Sequence, residues 1–151
     1  MGIPLPKTEA EAVALYQKYF WQPLYDSIPS QTIANKLFDD EVNQGEGTGI
    51  RHLQRALCSA GCIVRQDGVF GPATLRAISL IPEGLLLPWM RSIQYESYLD
   101  WATGIPKRLA LLAGLANRAA WPDDGGIAKE LLAGTYLPAA EGISFKERVN
   151  G

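Results

Sequence analysis

The chain has 151 residues, 47% hydrophobic and 20% charged, with a formal net charge of −2 at pH 7. That length suits one compact domain burying roughly 70% of its unfolded surface. The mild negative charge, with Lys and Arg scattered, excludes a global attraction to nucleic acid or to anionic lipid.

The first helix is expected in TEAEAVALYQKYFW, where Thr8 and Glu11 form a capping box ahead of an apolar stripe through Val13, Tyr16, Tyr19 and Phe20. A second runs from about Ser30 through QTIANKLFDDEVNQ, turns Ile33, Leu37, Phe38 and Val42 inward, and stops at Gly45. GEGTG reads as a turn into a third helix, IRHLQRALCSAG, striped by Ile50, Leu53, Ala56 and Leu57. Near its end, Cys58 and Cys62 read as small buried or half-buried thiols, with a disulfide left open. Metal binding would need more ligands than these and the single His52, so no metal is expected.

CIVRQDGVFG alternates weakly and reads as an irregular loop or short hairpin. In DGVFGPATLRAI, Asp67 and Gly68 favour a turn, Gly71 allows a backbone shape other residues resist, and Pro72 suits the first helical position. Leu75 and Ile78 then share a face. Helix follows in PEGLLLPWMRSIQYESYLDWAT, from Glu83 or from Pro88, and again in PKRLALLAGLANRAAW after Gly104 and Pro106. The tail over 123–151 is rich in Gly, Pro and polar residues and offers one short helix around IAKELL. The expectation is an all-α chain of about five or six helices with one irregular loop, a single domain over 1–122 and then the tail.

YQKYFWQPLYDSIPSQTIANKLFDDEVNQGEGTGIRHLQRAL, DGVFGPATLRAI and GLANRAAW together resemble the family 108 glycoside hydrolases. These are N-acetylmuramidases of bacteria and phages with a peptidoglycan-binding-like helical region. The likeness runs from Ala10 to Trp121 and lies in the order of its parts. An aromatic and Pro helix end comes first, then Phe38-Asp39-x-x-Val42-Asn43-x-Gly45 and Leu53-Gln54-Arg55-Ala56-Leu57. The turn with Asp67, Gly68, Gly71, Pro72, Thr74 and Leu75 follows, and Gly114-x-x-Asn117-Arg118 closes the series.

The resemblance implies a lysozyme-like or muramidase-like helical fold, with 46–122 as the peptidoglycan-binding-like part and peptidoglycan glycan strands as the partner. It implies no cofactor. It gives Asp67, Gly68, Gly71 and Pro72 an architectural task. The family's catalytic glutamate stands in a Glu-Gly-Gly-Tyr-like segment near the amino terminus, which has no counterpart here, and Glu9 and Glu11 do not inherit its role by motif.

Glycosidic cleavage needs a carboxyl kept protonated near neutral pH by an apolar setting. The catalytic candidates are Asp39, Asp40 and Glu41 in FDDEVNQG, where a helix end beside a small-residue loop can border a cleft. Three consecutive acids point three ways around a helix, so at least one is solvated. Asp39 is expected to bond a loop or the cleft wall, and Asn43 to cap the helix end or touch an acetamido group. Most aromatics at helical spacing belong to a core, but Tyr98 and Trp101, three apart, share a face and complete the candidate substrate-binding set with Asp39 and Asn43. One His and no nucleophile elbow argue against Ser-His-Asp or Cys-His catalysis.

Two readings follow. The chain is a peptidoglycan hydrolase relative whose acid is rebuilt here or supplied by a second polypeptide. Alternatively it is a non-enzymatic wall-binding or phage-particle assembly protein, with neighbouring particle subunits as partners. A blander helical interaction protein shares only the fold. No stretch approaches the roughly 20 apolar residues of a membrane span, and MGIPLPKTEAEA has no signal-peptide core. Pro6 stands where N-myristoylation of Gly2 needs Ser or Thr. Synthesis in the cytoplasm, with release by lysis, by a holin or in a phage particle, is the expectation.

Overall fold

The computed structural model describes residues 2–123, 126–136 and 138, and these hold helices and no strand. In chain order the described helices are α1 (Glu9–Tyr19), α2 (Gln31–Gln44), α3 (Glu46–Ser59), α4 (Pro72–Leu80), α5 (Glu83–Ala102), α6 (Pro106–Leu109), α7 (Leu112–Ala120) and α8 (Gly126–Ala133). A 3-10 turn, Pro23–Ser27, precedes α2. The all-α expectation holds, but the eight described helices exceed five or six. The segment after Pro106 divides because the Leu111 N–H bonds the Arg108 carbonyl at 2.9 Å, a three-residue turn that interrupts the helix.

Local chemistry explains most boundaries. Thr8 Oγ1 accepts from the Glu11 N–H at 3.1 Å, while the Glu11 carboxylate accepts from the Lys7 N–H at 2.7 Å. Ser30 Oγ accepts from the Ile33 N–H at 3.1 Å and donates to the Glu83 carboxylate, tying the starts of α2 and α5 together. Gly45, at φ 99, ends α2 in a conformation that favours glycine, and Glu46 already opens α3. GEGTG is therefore helical beyond its first residue, not the expected turn. Helix α5 starts at Glu83 and carries Pro88 inside it.

Long α5 organises the packing. Leu86, Leu87, Met90 and Ile93, from its start to its middle, meet Ile33 and Leu37 of α2, Leu53 and Leu57 of α3, and Ala77 and Ile78 of α4 in one core. Tyr95 and Tyr98 in its second half meet Ala116, Ala119 and Ala120 of α7, with Ala128 and Leu131 of α8. The α1 stripe departs from expectation: Val13, Tyr16 and Tyr19 are exposed and α1 has no buried residue. It leans on α2 through aromatic edges, the Tyr16 ring standing edge-on to Phe38 with centroids 6.2 Å apart. Phe38 and Val42 are accordingly only half-buried.

No hairpin forms in CIVRQDGVFG, because a side chain satisfies the loop. Buried Gln54 of α3 donates from Nε2 to Asp67 Oδ1, the Val69 carbonyl and Thr74 Oγ1, and its Oε1 accepts from the Gly68 N–H at 2.9 Å. Gly68, at φ +75, sits so close that a Cβ there would lie 2.9 Å from the Gly47 carbonyl oxygen. The Val69 N–H, with Gln54, holds the Asp67 carboxyl below the usual carboxylate range.

The α2–α3 crossing depends on Gly49. A Cβ at Gly49 would lie 2.6 Å from Glu41 Cγ and 2.8 Å from the Glu41 backbone nitrogen. Gly49→Ala is expected to destabilise by about 2 kcal/mol in urea unfolding, as overpacking against backbone does. Gly114→Ala, with nothing within 4 Å of its Cβ position, is expected to stabilise by about 0.5 kcal/mol. Equal effects of the two would contradict this packing.

Candidate functional site

Lys36 lies on the inward side of α2 with Ile33, Leu37 and Asp40, and is 1% exposed. Its Nζ donates to the Arg118 and Ala119 carbonyls at 3.0 and 2.7 Å. Both carbonyls end α7, where intrahelical partners run out and the helix dipole is negative. Burial lowers the Lys36 amine to about 7, although neighbouring Asp39 and Asp40 favour its charge. Arg91, also buried, donates to the Pro122 carbonyl at 3.2 Å just beyond the same helix.

This anchorage sets Arg118 against α2, its Nη1 lying 3.5 Å from Asp39 Oδ1. An open groove of 550 Å³ runs there, lined by Asn35, Phe38 and Asp39 of α2, Asn117 and Arg118 of α7, and Trp121. A second groove, of 420 Å³, is lined by Asn43, Gln44, Ser97, Tyr98, Trp101 and Leu115.

A hydrogen-bonded run joins them. Gln94 Nε2 donates to Asp39 Oδ2 at 3.3 Å and to the Tyr98 hydroxyl at 3.1 Å, and Asn43 Nδ2 donates to the same hydroxyl at 2.5 Å. Burial, with the nearby Asp40 and Asp39 charges, raises the Tyr98 phenol well above its ordinary range. Ser97 Oγ donates to Gln44 Oε1 at 2.7 Å beside them. The indoles are the open surfaces, Trp101 45% and Trp121 40% exposed.

The acidic triplet splits three ways. Asp39 faces the first groove. Asp40 is buried, taking a bond from Gln44 Nε2 at 2.6 Å and facing His52 Nδ1 at 2.7 Å. Glu41 is 1% exposed, accepts from the Tyr25 hydroxyl, and leaves Oε2 without a hydrogen-bond partner among the described residues. Burial pushes the Glu41 carboxyl up to about 8, with Glu46 and Asp40 adding to the rise and the Tyr25 bond opposing it.

Of the substrate-binding candidates, Asp39 lies in one groove and Asn43, Tyr98 and Trp101 in the other. Asn43 bonds Tyr98, while the α2 end is closed by the Gly45 N–H to the Glu41 carbonyl. Asp67, Gly68, Gly71 and Pro72 lie in the loop fixed by Gln54 and at the start of α4. The cysteines are free and half-buried, Cys58 Sγ bonding the Val64 carbonyl at 3.3 Å. Among the described residues no group of three or more His, Cys, Asp or Glu could hold a metal ion. Lys36 and Gln94 were not among the sequence candidates, and Asn117 and Arg118 stood only in the closing Gly-x-x-Asn-Arg motif, without a role in a site. A lysine three residues after Ile33 and beside Leu37 was the one signal available for Lys36.

Residues 48–120, from α3 through α7, match the family model described as Predicted Peptidoglycan domain. No curated protein matches the chain. The match supports a peptidoglycan-related domain in this part of the chain, and a peptidoglycan-related function with it.

The buried carboxyl gives a pH dependence of stability. Between its ordinary 4.5 and about 8, folded Glu41 keeps a proton that the unfolded chain releases. The stability it contributes is therefore full below 4.5 and falls as pH rises through 8. Glu41→Gln, which still accepts from Tyr25, is expected to flatten this fall in unfolding midpoints measured from pH 4 to pH 8. An unchanged slope would place the pH dependence elsewhere.

Proposed function

We propose that the chain binds peptidoglycan glycan strands along the seam between α2, α5 and α7. The observation that carries this reading is the run Arg118, Asp39, Gln94, Tyr98 and Asn43, which links two grooves that each present a half-open indole. Indole faces suit the apolar faces of sugar rings. Amide, carboxylate and guanidinium groups suit hydroxyl, acetamido and carboxyl substituents. The α5 and α7 walls lie inside the matched residues 48–120, and the α2 wall carries the Phe38-Asp39-x-x-Val42-Asn43 segment of the family 108 likeness.

Cleavage on a muramidase-like scaffold is the second reading. One observation favours it: Glu41 has the raised carboxyl a glycosidase acid needs, and Asp39, two residues before it, faces the groove. Against it stands the burial of Glu41 beneath Tyr25, which seals the acid from a glycan in this conformation. Binding without cleavage is the better-supported function.

The test is sedimentation of the chain with purified insoluble peptidoglycan, with release of reducing ends followed in the same tubes. Binding is expected, weakened about tenfold in Asp39→Ala or Trp121→Ala, the effect of losing one charge-assisted bond or one stacking face. A soluble wild type, or variants that bind equally well, would overturn the proposal. Release of reducing ends would favour the cleavage reading, with Asp39, Asp40 and Glu41 the residues to substitute in turn.

A further inference from the structure

We infer that the corner joining α5 to α7 seats on the surface of an anionic lipid bilayer. The corner shares Trp101 with the second groove, and its other residues lie outside both grooves. From Trp101 to Pro122, between Asp100 and Asp123, the sequence has no acidic residue although the whole chain is net negative, and the corner itself carries Lys107 and Arg108, Arg118 further along being paired with Asp39. The charge of this segment is thus locally opposite to that of the molecule.

The backbone leaves the segment at the surface. Gly104, at φ +80, turns the chain out of α5, and α6 follows without a single buried residue. Ile105 and Leu109 stand four apart and so share a side. They are 39% and 45% exposed, and Leu111 just beyond is 56% exposed. Lys107, two residues from each, is exposed on the other side of the short helix. The Arg108 guanidinium lies 4.5 Å over the Trp101 ring and its Nη1 donates to the Trp101 carbonyl at 3.1 Å, fixing a cation on an open indole.

Exposed aliphatic side chains, an indole and lysine or arginine at one corner are the chemistry of the membrane interface. Apolar groups enter the boundary between headgroups and acyl chains, and cations meet lipid phosphate. A purely anionic polymer would use the cations but not the leucines. A protein partner would need acidic and apolar groups matched to this one corner, whereas an anionic bilayer presents both across its whole surface. Charge complementarity together with apolar exposure selects the anionic bilayer. The contact is peripheral, since no described helix is long and apolar enough to cross a membrane.

The test is co-sedimentation of the full chain with vesicles of mixed phosphatidylglycerol and phosphatidylcholine, and with vesicles of phosphatidylcholine alone. It is run in about 0.1 M salt, where charges act over about 10 Å. The chain is expected to sediment with the anionic vesicles and much less with the neutral ones. Lys107→Glu is expected to lower the partition coefficient about tenfold through reversed charge. The double variant Leu109→Ser with Leu111→Ser is expected to lower it about tenfold through lost apolar insertion. These side chains are exposed, and unchanged helical circular dichroism verifies that the variants fold. Absence from the anionic pellet, equal sedimentation with both vesicles, or insensitivity to both variants would overturn the inference.

Discussion

The seam depends on one buried lysine. Lys36 spans 82 residues of sequence to reach Arg118 and fastens α2 to the last turn of α7. A buried ammonium is expensive to desolvate, and here it is offset by two carbonyls at the negative end of a helix and by flanking Asp39 and Asp40. Because the lysine bonds the backbone of Arg118, the Arg118 side chain is left to reach Asp39 in the groove. One residue thus closes the fold and orients the wall of the candidate site. Arg91, bonding Pro122, reinforces the same helix end from α5.

The α2–α3 crossing divides the acids of α2. Gly49 lets the helices approach until Glu41 has no exit to solvent, and Tyr25 takes up one of its oxygens. Asp40, one residue earlier, turns to His52 of α3, and Asp39 turns to α5 and α7. Consecutive residues on a helix diverge by about 100°, and of this triplet Asp39 alone lines the first groove. The same geometry that raises the Glu41 carboxyl removes it from reach, and so the surface left to a ligand is one of stacking and hydrogen bonding.

The features legible in the sequence were those fixed within a few residues. The Thr8 and Ser30 caps, the Gly45 stop and the Pro72 start need only their own neighbours. The α1 stripe misled because periodicity says which residues share a face and not whether another element covers it. The weak alternation in CIVRQDGVFG left an irregular loop and a short hairpin both open, and Gln54 from another element satisfies the loop without strand pairing. Tyr98 and Trp101 could be paired by spacing alone, and they do line one groove. The roles of Lys36, Gln94 and Arg118 were not legible because their partners lie far away in the chain, and no local pattern encodes such contacts.

The measurement that bears most directly on the account is a residue-resolved NMR titration of the chain with a soluble disaccharide fragment of peptidoglycan. Amide and side-chain shifts are expected to concentrate at Asn35, Asp39, Asn43, Tyr98, Trp101, Asn117 and Trp121, which line the two linked grooves. Shifts confined to another surface, or none at saturating fragment, would contradict it.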